Sequence, residues 1–518
     1  MGKHEMVTNF KFLIICFLAM AVLSAGLIYY FGFDQKAVIG EFVSVNQHPR
    51  IQPDYAQTII PSNIAPLNFV VLENGSNYCV KIHSKQGVPI EVFSRTPKIV
   101  IPQTSWRKLL AGNKGQELYF DVFVKNKDGQ WKRFLAITNK IAAEDIDAFL
   151  VYRKITPSHI LYSGKQGIYQ RNLSNYDESV ILDNGYSMGI GCLNCHTFCN
   201  NSPDKTLIAV RDYKTENEDT IMISDGTAKK VGGRFGFTSW HPSGRLFVFS
   251  KNDINLFFLT SKEEVRDAVD LDSSLAYYII NSNTIKILPI SRKGYLENWP
   301  CWSPDGRYLY FCRATKLWPD KTRVPPERYN EVKYDIVRVS YDIEHDKWGD
   351  IETIVSAQDT GMSNMQPRVS PDGRWLLFSM CGYGFWPIWQ KDTDLYLIDL
   401  EAAGQNGQYK YRRLDINSDQ CDSWHSFSSN SRWIVFSSKR TDGVFARPYL
   451  SYIDQTGKVY KPLLLPQKDP VFYESCLKVY TNPEFVTAPV AIPREKLGRI
   501  FRGADKILVN APAVKESN

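Results

Sequence analysis

Long runs of like charge are missing from this chain. Its 62 Lys and Arg residues are scattered among 55 Asp and Glu, so a formal net charge of +7 forms no block or stripe. That argues for solubility and gives no support to nucleic-acid binding. An even, fully pairable cysteine set is missing too. Of ten cysteines, Cys16 falls in a hydrophobic run and Cys192 and Cys195 form a close pair. The others are Cys79, Cys199, Cys301, Cys312, Cys381, Cys421 and Cys476. Seven thiols cannot all pair with one another, so they read as small core residues and not as staples. Long hydrophobic runs are also scarce, and one stands alone at 12–33.

That run carries no charge and is long enough to cross a hydrocarbon core of about 30 Å. Ala19-Met20-Ala21 has the small-x-small pattern of a cleavable signal, which is the competing reading. The apolar stretch continues past Ala21 to the interfacial pair Tyr29-Tyr30, as expected of a retained anchor. Lys3 and Lys11 precede it against Glu5, which places 1–11 in the cytoplasm and the bulk of the chain in the periplasm, held at the inner membrane.

At 518 residues the chain exceeds one ordinary core. Hydrophobic residues at 43% and charged residues at 23% mark a folded protein, and 12 Trp favour strands over helical bundles. After the anchor, 34–66 is polar and punctuated by Pro49, Pro53, Pro61 and Pro66, the composition of a linker. A small β-sandwich-like domain is expected over 67–153. Its signs are short apolar runs at 69–72, 78–82 and 90–93, and a hairpin turning at Asp128-Gly129. Residues 142–153 read as a connecting helix.

From 154 to 480 one phrase repeats. Its variants are Asn201-Ser202-Pro203-Asp204-Lys205, Trp240-His241-Pro242-Ser243-Gly244-Arg245, Trp302-Ser303-Pro304-Asp305-Gly306-Arg307, Val369-Ser370-Pro371-Asp372-Gly373-Arg374 and Phe427-Ser428-Ser429-Asn430-Ser431-Arg432. Ser-Pro-Asp-Gly is β-turn chemistry, and an apolar strand follows each copy. In four copies that strand leads to a small residue: Ser250, Cys312, Ser379 or Ser437. Strand-rich units repeating at intervals of 39 to 67 residues argue for propeller blades, which bury their faces by stacking. A capping box, Ser261-x-x-Glu264, predicts a helix inserted over 261–271. The phrases resemble the PD40 repeats of TolB-like and WD40-like propellers. The resemblance implies an all-β propeller and says nothing of activity. With strands over 161–173 adding a blade before the first phrase and closure near the C-terminus, the count is six blades, with five or seven as alternatives. The tail, 481–518, holds a basic helix candidate over 494–501.

The chemistry concentrates at Gly191-Cys192-Leu193-Asn194-Cys195-His196-Thr197-Phe198-Cys199. Cys-x-x-Cys-His is the spacing by which a c-type haem is attached, two thiols forming thioethers and the histidine lying under the iron. The segment resembles the attachment site of c-type cytochromes. That resemblance implies thioether roles for Cys192 and Cys195, and His196 as proximal iron ligand of a covalent haem c. Other readings stay open. Cys199 makes a fourth candidate ligand for a metal or redox cluster, although four ligands this close leave little chain to wrap one ion. A disulfide or packing role in a propeller loop is the simplest alternative.

His425, in Trp424-His425-Ser426-Phe427, echoes His196-Thr197-Phe198 and is the candidate sixth ligand; packing within the blade is its ordinary explanation. Met188, Met362 and Met365 are further axial candidates, and His241 belongs to a turn. Gly185-Tyr186-Ser187-Met188-Gly189 matches the nucleophile elbow but leads straight into Cys192, without the strand-to-helix turn that motif needs. No acid-base pair around a substrate pocket can be assembled, so catalysis has no support. The expected function is electron transfer with a redox partner protein or membrane donor. The alternative is a non-catalytic propeller module in envelope assembly or cytochrome maturation.

Overall fold

The computed structural model describes residues 39–156, 166–185, 191–212, 218–233, 235–259, 265–402 and 409–510, with Phe17 and Met20. The predicted span over 12–33 lies, those two residues apart, outside the described residues. Among the described residues no helix is long and apolar enough to cross a membrane.

The first domain is built on the long strand Glu117–Lys125. It pairs on one edge with Asn77–His83 and on the other with Trp131–Arg133 and Ile137–Ile141. The hairpin at Asp128-Gly129 joins Lys125 to Trp131 as expected. Two features differ from the sequence reading. Part of the predicted linker is structure: Phe42–Ser44 adds to Trp131–Arg133 as a parallel strand, Ile59–Ile60 adds to Ile137–Ile141, and Ile51–Gln52 joins a second sheet with Phe69–Val71 and Lys98–Ile99. A helix, Gln103–Ala111, buries Trp106, Leu109 and Leu110 on one face, and the Trp106 indole donates to the Ile64 carbonyl at 3.0 Å. The domain is therefore two sheets plus a helix.

Among the described residues six four-stranded antiparallel sheets follow, the arrangement of a β-propeller with six blades. Counting from the chain closure, the inner strands of blades 1 to 6 are Val479–Val486, Gly191–Cys199, Thr238–Trp240, Tyr295–Trp302, Ser363–Val369 and Asp422–Phe427. Blade 1 is composite. Its three outer strands, Phe149–Ile155, Gly167–Asn172 and Glu178–Asp183, come from the start of the propeller and its inner strand from the end. Phe149–Ile155 thus replaces the end of the helix predicted over 142–153. Pairing with Val479–Val486 overrides a local apolar spacing that also fits a helix. The strand Arg266–Ile279 in blade 3 likewise replaces the predicted helix from residue 266 onward.

The repeated phrases make the turns that lead out of the inner strands. In blade 4 the Ser303 hydroxyl donates to Asp305 Oδ1 at 2.6 Å, Gly306 N donates to the Ser303 carbonyl at 2.9 Å, and Gly306 takes φ +73°. Glycine tolerates that left-handed geometry at little cost. Blade 2 departs from the pattern. There Cys199 pairs with Ser202, and Asn200 and Asn201 both take positive φ, 52° and 56°. This is the two-residue turn that asparagine suits, so Pro203 and Asp204 of that phrase fall within the next strand, Ser202–Asp212. Ser250, Cys312, Ser379 and Ser437 are all buried, each in the second strand of its blade.

Both ends of the chain tie down the ring. One apolar cluster runs from Leu67, Trp106 and Phe120 through Leu150 and Tyr152 to Trp433 and Phe436, so the first domain packs on the propeller. Each such fully buried side chain contributes about 1.5–3 kcal/mol. In the tail, helix Arg494–Arg502 buries Leu497 and Phe501 against blades 1 and 2. Ile507 and Asn510 then form bridges on the outer strands of blades 2 and 3, covering edges that would otherwise offer unpaired backbone groups.

Candidate functional site

The Cys-x-x-Cys-His segment forms the innermost strand of blade 2, Gly191–Cys199, and is not a loop. The strand carries a register shift between Leu193 and His196. Comparable shifts occur between Asn298 and Cys301, Met365 and Arg368, and Ser423 and Ser426. Such bulges re-aim the side chains that follow them.

A phrase preceding the turns puts the inner strands in correspondence: Trp299-Pro300-Cys301-Trp302, Gln366-Pro367-Arg368-Val369, Trp424-His425-Ser426-Phe427, Asn482-Pro483-Glu484-Phe485 and Cys195-His196-Thr197-Phe198. Trp299, Gln366, Trp424 and Asn482 all have φ between 50° and 56°. In three blades the next residue is proline, whose missing N–H is tolerated where the ladder is broken. In blades 2 and 6 it is histidine.

The two histidines meet matching surroundings. His425 is 3% exposed, and its Nε2 donates to the Leu377 carbonyl of blade 5 at 3.1 Å. His196 is 1% exposed, and its ring makes only loose contacts to the backbone of Val151 and Asn482 in blade 1, with neither nitrogen in a well-formed hydrogen bond. Its own carbonyl accepts from Asn482 Nδ2 at 3.0 Å. Burial, reinforced for His196 by the Arg153 and Arg368 guanidinium groups and for His425 by Arg368, holds both rings far below the usual histidine range, at about 3. Both are neutral at physiological pH. They turn toward different blades and so do not face one another.

The remaining predicted residues separate by role. Cys199 is buried, and its thiol donates to the His241 carbonyl at 3.7 Å; burial pushes it up to about 11, so it stays protonated. His241 is structural. Its Nδ1 lies 2.8 Å from the Ser243 hydroxyl, and its Nε2 donates to the Gly306 carbonyl at 3.2 Å. Met365 is buried in the core of the ring. Met188 and most of Gly185–Gly189 lie outside the described residues. The seven cysteines outside the motif and the anchor are free thiols, six buried and Cys476 half-buried.

Sequence reasoning missed a hub. One side chain from each inner strand lines a cavity of about 350 Å³ at the turn side of the channel: Glu484, Thr197, Ser239, Cys301, Arg368 and Ser426. Each follows the Pro-or-His position of the phrase, Ser239 of blade 3 apart, so the phrase was the available signal. Behind the hub, Phe237 stacks on Trp299 at 3.7 Å and Trp299 meets Trp424 edge-on at 5.0 Å, filling the channel. A larger cavity, about 490 Å³, lies at the seam of the first domain and blade 6 and holds none of the motif residues.

Neither a protein-family model nor a curated protein matches the chain. Solved structures similar in fold include an oligogalacturonate lyase from Vibrio parahaemolyticus, 12% identical, covering 74% of this chain and 100% of its own, with a TM-score of 0.34. Prolyl oligopeptidase B from Galerina marginata is 12% identical over 67% of this chain and 42% of its own, with a TM-score of 0.33. A puromycin hydrolase is 13% identical over 61% and 45%, with a TM-score of 0.32.

Proposed function

We propose that blade 2 carries one covalent haem c, with Cys192 and Cys195 supplying the thioethers and His196 the axial nitrogen. In this reading the protein is an electron-transfer module anchored in the inner membrane by 12–33, with its propeller in the periplasm. One observation carries the reading: the ring of His196 is buried with neither nitrogen in a well-formed hydrogen bond, only loose contacts to the Val151 and Asn482 backbone. An orphaned buried polar group costs about 1–3 kcal/mol, and an iron ligated there offsets that cost. His425 shows what the same position does when its role is packing, because its Nε2 is taken by Leu377. We assign His425 no part in ligation.

The chain's own groups suit the role. Burial and the nearby Arg153 and Arg368 keep His196 neutral, with a lone pair available. Asn482 holds the strand by its bond to the His196 carbonyl. Cys199, protonated and turned to blade 3, does not compete for the ion. When bound, haem supplies a one-electron couple whose potential follows axial ligation and burial. The test is extraction with acid and organic solvent of protein made in a host with c-type maturation. Haem absorbance stays with the polypeptide if thioethers are present. Complete loss to the solvent returns the chain to the second reading, a propeller module serving envelope assembly.

A further inference from the structure

The hub is a network in which each side chain serves the next blade. Ser239 Oγ accepts from Trp302 N at 3.1 Å, Cys301 Sγ accepts from Val369 N at 3.5 Å, and Ser426 Oγ donates to the Pro483 carbonyl at 2.9 Å. The Glu484 carboxyl group lies against the backbone N–H of Phe198, and burial pushes it up to about 7 against the pull of Arg368. Its Oε1 is different. It is buried, accepts no hydrogen bond, and sits 3.6 Å from Arg368 Nη2, too long for one. Blades 1 and 5 are separated by blade 6, so this loose pair spans the channel. A guanidinium and a carboxylate oxygen thus stand together over a cavity of about 350 Å³ with one acceptor unsatisfied. That volume is at the small end of ligand sites.

We infer that this channel mouth binds a small polyhydroxy monocarboxylate. Arg368 presents the planar fork that matches a carboxylate, and Glu484 Oε1 is an acceptor for a ligand hydroxyl. A dianion is disfavoured because Glu484 stands beside the cation that would hold it. The rim is polar and neutral: Asn200 and Asn201 use their amide N–H groups on the carbonyls of Pro242, Phe427 and Phe485, leaving their side-chain oxygens as acceptors for further hydroxyls. The inference does not rest on the haem reading, since none of these groups belongs to the Cys-x-x-Cys-His motif.

The probe is D-gluconate, titrated calorimetrically into the full-length protein, with sorbitol and sulfate as neutral and dianionic controls. Gluconate is expected to saturate one site, and each control to bind at least about tenfold more weakly. Arg368→Gln is expected to weaken gluconate by tenfold or more. Arg368→Lys, which keeps the charge and loses the fork, falls between and decides the matter should the glutamine variant not fold. Glu484→Gln is expected to narrow the gap between gluconate and sulfate. The inference fails if gluconate does not bind at millimolar concentration, if sorbitol binds as tightly, or if the Arg368→Lys protein binds like the parent.

Discussion

Blades 2 and 6 place histidine at the same point of the inner strand and treat it differently. His425 hydrogen-bonds the preceding blade through Nε2, while its buried Nδ1 makes no well-formed bond, so the ring is anchored to the blade interface through one nitrogen. His196 lies in the corresponding place with no well-formed hydrogen bond to either nitrogen, directly after two cysteines. Propeller blades are near-copies, so a repeat supplies its own control. What one copy needs for folding is visible in the other, and the surplus in blade 2 points to chemistry.

The largest effect expected is all-or-none. Replacing Cys192 and Cys195 together with alanine abolishes extraction-resistant haem absorbance while the far-ultraviolet circular dichroism of the propeller persists. Next comes stability measured by denaturant titration in that haem-free background. His425→Ala, which opens a cavity and orphans the Leu377 carbonyl, costs about 2–4 kcal/mol. His196→Ala costs clearly less, because no well-formed hydrogen bond is lost; equal costs break the comparison.

Acid sensitivity is the third expectation. Both rings are held near 3, so between pH 6.5 and about 3 the unfolded chain binds protons that the folded chain does not. Stability therefore rises with pH across that window and is complete above it, by on the order of a few kcal/mol per ring. His425→Gln flattens the pH profile of the denaturation midpoint; an unchanged profile means that ring already titrates normally. The smallest effect is Asn482→Ala, which removes the bond to the His196 carbonyl and costs about 1 kcal/mol. A neutral result there means the strand is held by its ladder alone.

The propeller was legible because its signals are local. Ser303-Pro304-Asp305-Gly306 and its relatives carry their turns within four residues, and the strands follow at fixed offsets. What escaped reading is non-local or very short. Ile51–Gln52 and Ile59–Ile60 are two-residue strands with no period to detect, and Phe42–Ser44 is a strand only because Trp131–Arg133 lies beside it. Phe149–Ile155 takes its conformation from a partner more than 300 residues away. The helix Gln103–Ala111 had a usable signal in the spacing of Trp106, Leu109 and Leu110. Arg368 and Glu484 were overlooked because each looks like an isolated surface charge until the phrases around Pro367 and Pro483 are aligned.

The most direct measurement is mass spectrometry of the matured protein after denaturation, reduction and alkylation. The account predicts that the peptide bearing Gly191–Cys199 carries the mass of one haem, with Cys199 alkylated and Cys192 and Cys195 both blocked. Alkylation of all three thiols on a peptide carrying no haem mass contradicts it.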